Sequence, residues 1–234
     1  MEILAQFRRR AAALKRTVVL PEAQDERVVE AAGRLHREGI CRVLLVGPAA
    51  TQTAEGIEVI DPEGHPHRED FVALYHELRR HKGVTREEAR ERLADPLFFA
   101  AAMVRRGEAD LSVAGAAAPT ARVLRAGLHL VGTAPGSEVV SSFFLMVLTD
   151  GTPLAFGDCA VIPRPEPEQL ARIALDTAAS YHKLTGEEPR VAMLSFSTKG
   201  SAGHELVDRV AAATARAREM APDLALDGEL QFDA

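Results

Sequence analysis

Thr17-Val18-Val19-Leu20, then Glu22-Ala23-Gln24-Asp25-Glu26-Arg27 running on through Val28, Val29, Ala32 and Leu35, then Arg42-Val43-Leu44-Leu45-Val46-Gly47, decide the fold class. The first run is a short apolar strand ended by Pro21. The second carries apolar residues at helical spacing and stops at Gly39, where a glycine closes the last turn. The third is again an apolar strand. A strand, helix and strand within residues 17 to 47 form a βαβ unit of the usual length, which implies a parallel sheet with a right-handed crossover.

Outward from this unit the α/β pattern continues. On the N-terminal side, Ile3, Leu4, Phe7, Ala11 and Leu14 predict an amphipathic helix over residues 1 to 16. On the C-terminal side, Ile57-Glu58-Val59-Ile60 reads as a further strand closed by Asp61-Pro62. Phe71, Leu74, Tyr75 and Leu78 mark one face of a helix whose end is crowded by Glu77, Arg79, Arg80, His81 and Lys82 before Gly83. Cations offsetting a helix dipole explain that crowding without any ligand. Thr85-Arg86-Glu87-Glu88 is a capping box, and Asp95-Pro96 opens a helix through Arg106. Ala109 to Ala117 reads as a strand entering a loop of small residues, and Pro119-Thr120 precedes a helix carrying Arg122 and Arg125. Small residues let a ligand approach the backbone and Arg can grip phosphate, but a tight connection with surface arginines fits the same spacing.

A second region begins near Gly136. Val139 to Leu148, the turn Asp150-Gly151, and Leu154 to Val161 form a hairpin pattern. A helix from Glu168 to Lys183 follows, then Val191-Ala192-Met193-Leu194-Ser195-Phe196, expected to be a strand covered on both faces. Ser197, Thr198, Lys199, Gly200 and Ser201 cannot extend it. Their hydroxyls, backbone N–H groups and ammonium suit an anion at a strand's carboxyl end, or simply a turn that caps the helix from His204 to Met220. Leu224 to Gln231 is the last predicted strand.

Composition restricts the function classes. The 234 residues are 47% hydrophobic with a net charge of −6, enough for one large domain or two modest ones. No apolar run is long enough to span a bilayer and no signal core is present, so the expected location is cytoplasmic, without a membrane partner. Cys41 and Cys159 lie far apart with no metal-ligand spacing, which argues for free thiols and no metal site. The negative charge, the lack of Trp and the two Tyr disfavour a nucleic-acid surface.

Six stretches carry a family resemblance. They are Leu20-Pro21-Glu22 with Asp25 and Arg27; Tyr75-His76-Glu77-Leu78-Arg79-Arg80-His81-Lys82-Gly83; Gly107-Glu108-Ala109-Asp110; Ser141-Ser142-Phe143-Phe144; Ser195 to Ala202; and Asp227-Gly228-Glu229-Leu230-Gln231-Phe232-Asp233-Ala234. In this order the chain resembles the phosphate acetyl/butyryltransferase family over nearly its whole length. The resemblance implies reversible acetyl transfer between acetyl-CoA and inorganic phosphate, giving acetyl phosphate, with coenzyme A as a substrate and no other cofactor. It implies an isocitrate/isopropylmalate-dehydrogenase-like α/β fold of two domains, residues 1–136 and 137–234, with flanking helices and a cleft, in a homodimer. Butyryl transfer, or a non-catalytic regulatory relative that binds acyl-CoA or phosphate, is the alternative.

Carried over by position, Arg79 and Arg125 resemble the family's substrate- and coenzyme-binding arginines. Ser197, Thr198, Lys199, Gly200 and Ser201 resemble its phosphate-region loop. Two departures alter the loop after Gly115: Ala118 stands where many members have His, and Arg122 where they have Asp. The resemblance places the family's catalytic Ser and Asp in a segment beyond Ala234, so both domains are expected to be incomplete, the chain as given is expected to be inactive, and no catalytic residue is assigned within it.

Overall fold

In the computed structural model, which describes residues 2–48, 53, 56–135, 137 and 139–234, the opening unit is as expected. Helix α1 (Glu2–Leu14) leads into β1 (Thr17–Leu20), α2 (Glu26–Arg37), β2 (Arg42–Val46) and β3 (Glu58–Ile60). The side chain of Asp25 starts α2 by accepting from the Arg27 N–H at 2.9 Å. Next come α3 (Arg68–Arg79), which runs into a 3₁₀ turn at Arg80–Lys82, α4 (Arg86–Arg92), α5 (Pro96–Arg106), β4 (Leu111–Ser112) and α6 (Thr120–Leu130). The Thr85–Glu88 capping box forms, and Asp95 caps α5 with Pro96 in its first turn.

The four strands lie in the order β3-β2-β1-β4, all parallel, with Val18 opposite both Val43 and Leu111. Alternation along the strands sends side chains to two cores. Val18, Leu20, Val43 and Leu45 pack with Ala32 of α2 on one face. Val19, Leu44 and Val46 pack on the other with Phe71 and Tyr75 of α3, Phe98 and Phe99 of α5, and Ala126 and Leu130 of α6. Burial on both faces explains why β1 and β2 are apolar runs rather than alternating ones. Within Ala109 to Ala117, read as a strand entering a loop, the strand is Leu111–Ser112, the Val113 N–H still donates to the Val19 carbonyl, and the chain turns at Gly115, whose φ is 107°.

The second group of elements is β5 (Phe143–Val147), β6 (Pro153–Gly157), α7 (Pro167–Thr185), β7 (Arg190–Leu194), α8 (Glu205–Met220) and β8 (Ala225–Leu230). Strands β5 and β6 form the predicted antiparallel hairpin, and β7 pairs with β8 in parallel. Ala171, Ala174, Met193, Ala213, Ala217 and Leu226 make the core between the helices and this pair. The expectation that β7 is covered on both faces fails. Met193 is buried, but Ala192 and Leu194 on the opposite face are exposed. A two-stranded sheet packed on α7 and α8 has only one covered side among the described residues.

The chain divides into two compact units, Leu4–Gly132 and Thr133–Ala234, with residues 2–3 belonging to the second. Position 136, where the sequence pattern suggests a boundary, lies outside the described residues. No helix among the described residues is long and apolar enough to cross a membrane.

Candidate anion-binding sites

Arg79 and Arg125 sit on two helices, α3 and α6, that pack together in the first unit. One turn before Arg79 on α3 is buried Tyr75, and one turn after Arg125 on α6 is half-buried His129, so each arginine shares a helix face with one member of a hydrogen-bonded pair. The Tyr75 hydroxyl meets His129 Nδ1 at 2.9 Å. Phe98 packs edge-on to both rings, and the Arg92 guanidinium lies 5.1 Å above Phe98. Burial, and then the charges of Arg79, Arg125 and Arg92, lower the His129 pKa from its ordinary 6.5. Burial raises that of Tyr75 despite the opposing pull of the same arginines. Among the described residues no carboxylate pairs with Arg79, Arg92 or Arg125, and Arg79 Nε is buried without a hydrogen-bond partner. Most other arginines of this unit are paired, as Arg122 is with Asp95 at 2.8 Å and Arg90 with Glu69 at 2.7 Å. The sequence brought Arg79 and Arg125 forward one at a time; the structure joins them through Tyr75 and His129.

The small-residue loop before α6 has a different content. The backbone N–H groups of Gly115, Ala116, Ala117 and Ala118 all donate to the Glu22 carboxylate, at 2.7, 2.9, 2.9 and 2.6 Å. Glu22 is 2% exposed. Burial pushes its pKa up, yet the four N–H groups together outweigh burial and hold it below the usual 4.5. The small residues thus let the backbone form an anion cradle, and a side chain of this same protein fills it. Arg27 closes the arrangement, bonding Asp25 at 2.6 Å and the Ala116 carbonyl at 2.6 Å.

The Ser197–Ser201 loop is also internally occupied. Ser197 is fully buried and donates its hydroxyl to Glu229 at 3.1 Å, and the Gly200 N–H donates to the same carboxylate oxygen at 2.6 Å. The Thr198 N–H goes to Ser201 Oγ, the Lys199 N–H to the Glu229 carbonyl and the Ser201 N–H to the Thr198 carbonyl. Thr198 Oγ1 also accepts from the Gln231 N–H at 2.9 Å. The Lys199 ammonium binds Asp227 and, at 2.9 Å, the Gly228 carbonyl. The bond from Lys199, then the Gly228 N–H, draws the Asp227 carboxyl down to about 2. Most of the loop's donors are thus used within the chain. The Ser197 hydroxyl and the Gly200 N–H are committed to the Glu229 carboxylate, the Thr198 and Ser201 N–H groups to the loop itself and the ammonium to Asp227, while Lys199, Gly200 and Ser201 are the loop's exposed residues.

A family model for phosphate acetyl/butaryl transferase matches residues 2–234. The chain belongs to the phosphate acetyl/butaryl transferase family. Phosphate acetyltransferases of Thermoanaerobacterium thermosaccharolyticum and Acetivibrio thermocellus are 44% and 42% identical over 100% of this chain, which spans 75% and 74% of their lengths. Among solved structures, a phosphotransacetylase from Streptococcus pyogenes aligns over 100% of this chain and 73% of its own, with a TM-score of 0.92 and 36% identity. A branched-chain phosphotransacylase from Enterococcus faecalis, 15% identical, shares the fold at a TM-score of 0.65 over 93% of this chain and 69% of its own. The α/β architecture, with its parallel sheet and flanking helices, is thus the architecture of solved phosphotransacetylases.

Within this phosphate acetyl/butaryl transferase chain, four features carry no signal of a role in the sequence: the filling carboxylates Glu22 and Glu229, Arg92, and the Tyr75–His129 pair. Glu22 and Glu229 stand inside family motifs, but nothing in a linear motif says which N–H groups 93 to 96 residues away a carboxylate will meet. The i, i+4 spacing of Tyr75 with Arg79 and of Arg125 with His129 is the one readable signal.

Proposed function

We propose that the full-length protein acts as a phosphate acetyltransferase, moving acetyl between the sulfur of coenzyme A and an oxygen of inorganic phosphate. The observation that carries this reading is the match along 100% of the chain to a phosphotransacetylase structure at 36% identity. In the forward direction a phosphate oxygen attacks the thioester carbonyl, the carbonyl oxygen gains negative charge, and the carbon–sulfur bond breaks to release the thiolate. Every species on this path is anionic. A site for it needs cations that are not already neutralised and that hold phosphate against the carbonyl carbon.

Arg79 and Arg125 suit that need because no carboxylate among the described residues holds them. We assign them to the phosphates of coenzyme A or to the attacking phosphate, binding and orienting rather than transferring protons. In the Ser197–Ser201 loop, Lys199, Gly200 and Ser201 are the part offered to substrate, while Ser197 and Thr198 hold its shape. The same reading takes the two units as the two domains of an isocitrate-dehydrogenase-like fold and the protein as a cytoplasmic homodimer needing no metal or nucleotide cofactor. Acetyl is favoured over butyryl by relatives named phosphate acetyltransferase.

The test is release of free thiol from acetyl-CoA by the full-length protein, with and without phosphate, in the presence of a chelator. Phosphate-stimulated release is the expected result. Coenzyme A binding without any phosphate-dependent release would overturn acetyl transfer in favour of a sensor, and faster reaction with butyryl-CoA would reassign the acyl group.

A further inference from the structure

We propose that the hydrogen-bonded Tyr75–His129 pair is a positioning element that keeps Arg79, Arg92 and Arg125 together as an open, un-neutralised cluster for the phosphates of the acyl-carrying substrate. This rests on the acetyl-transfer reading for the identity of the ligand, and on the geometry of α3, α4, α5 and α6 for the rest.

Three guanidinium groups near one another repel, and proteins ordinarily relieve this with a carboxylate. Here the groups at the centre of the cluster are a phenol and an imidazole. Tyr75 is 2% exposed and bonded at 2.9 Å to His129 Nδ1, with Phe98 against both rings and Arg92 stacked on Phe98. Burial favours the uncharged form of both groups, so the 2.9 Å contact between the Tyr75 hydroxyl and Nδ1 joins a phenol to a neutral imidazole, whichever of the two donates. The pair thereby satisfies the buried Tyr75 hydroxyl and ties together the two helix faces that carry Arg79 and Arg125, without supplying negative charge. A carboxylate at position 129 would fill the same space and capture the arginines.

The charged groups around the pair come from each packed element: Arg79 on α3, Arg92 at the end of α4 and Arg125 on α6. Lys82, Glu88, Glu91 and Asp95 border a 510 Å³ cavity that Tyr75 and Arg92 also line. Asp95 is held by Arg122. Because the arginines disfavour a charged imidazole, an anion bound to them must favour it, and by linkage protonating His129 must tighten the anion.

The decisive experiment follows the His129 imidazole by NMR through a pH titration of the full-length protein, alone and saturated with coenzyme A or, separately, pyrophosphate. The expected result is a midpoint below 6.5 in the free protein that rises by about half a unit or more with anion bound. A midpoint unmoved by bound anion, or failure of both probes to bind, overturns the proposal. Kinetics give a second reading. In His129→Glu the KM for acetyl-CoA should rise about tenfold or more with a smaller change in kcat, and His129→Gln, a neutral acceptor, should recover most of that loss. Tyr75→Phe should raise KM rather than only lower Tm. Equal KM in His129→Glu and wild type would refute the role. A wild type that shifts His129 on binding coenzyme A but never releases thiol to phosphate would refute acetyl transfer while leaving the cluster intact.

Discussion

The loop at Gly115–Ala118 and the loop at Ser197–Ser201 are built alike and filled alike. Each follows a parallel strand, precedes a helix, is built mainly of small residues, and presents N–H groups of a kind that would suit a phosphate. Each is closed by a carboxylate from elsewhere in its own unit, Glu22 in one and Glu229 in the other. They differ in what donates. Glu22 takes four backbone N–H groups and nothing else in the loop, whereas Glu229 takes one N–H and one hydroxyl, and the loop adds its own cation, Lys199, held by Asp227. A helix-entry loop of small residues is therefore weak evidence for a ligand, since the fold itself can supply the anion. Cations that lack a carboxylate and are gathered around one pair of side chains are better evidence, as Arg79, Arg92 and Arg125 are around Tyr75 and His129.

The largest effect should come from removing the four-bond carboxylate. Glu22→Ala leaves four N–H donors in a buried loop without their acceptor, and each lost charge-assisted bond or orphaned donor costs about 1–3 kcal/mol before water relieves part of it. A net loss of about 3 kcal/mol is expected in urea unfolding. A loss below about 1 kcal/mol would show that the loop refills with water and does not depend on Glu22. Next in size are Arg79→Ala and Arg125→Ala, which should weaken coenzyme A or phosphate binding by on the order of 1.5–3 kcal/mol without unfolding the protein. Calorimetry on the two variants checks this, and unchanged affinity in both would return them to ordinary helix-end charges. Glu229→Gln comes third. It keeps one acceptor oxygen for the Gly200 N–H and has fewer donors to abandon, so its Tm should fall less than that of Glu22→Ala; the reverse order would break the comparison.

Acid gives the same comparison without mutation. Glu22 and Glu229 both titrate below 4.5 in the fold, and Asp227 goes from 3.8 to about 2. Carboxyls lowered by folding stabilise the native state above their unfolded pKa, and that stability is lost as pH falls toward the folded pKa because the unfolded chain binds more protons. Stability should thus fall in two stages as pH drops, first below about 6.5, where unfolded His129 takes up a proton that the folded chain resists, and then more steeply between about pH 4.5 and pH 2. Urea midpoints measured down this range check it, and Glu22→Gln should flatten the acid limb.

Much of this architecture is legible in the sequence because it rests on local patterns. Apolar runs at 17–20 and 42–46, the Thr85–Glu88 box and Asp95-Pro96 each act within a few residues. The failures are long-range. Nothing in Ser195-Phe196-Ser197 states that only one face of β7 will be covered, and nothing in Gly115 to Ala118 states that Glu22 will arrive there. Arg79 and Arg125 are visible through a motif, while Arg92 and His129 gain meaning only once α3, α4, α5 and α6 are packed.

The smallest expected effect is the most discriminating for the second loop. Lys199 and Asp227 are both about half exposed, at 49% and 51%, and Asp227 has a second cation, Arg218, on the same oxygen at 2.5 Å. An exposed pair contributes little to stability because water and salt screen it, and here Arg218 remains when Lys199 is removed. Lys199→Ala should therefore shift Tm by less than about 2 °C. Its effect on catalysis is a separate matter. If Lys199 leaves Asp227 to meet substrate, the variant should show a raised KM for phosphate or acetyl-CoA that weakens in high salt, since the missing interaction is one between exposed charges. If Lys199 only holds Asp227, neither KM moves and the loop reduces to a carboxylate-pinned turn like the one around Glu22. The salt series on wild type and Lys199→Ala decides between an outward cation and a second, wholly structural loop.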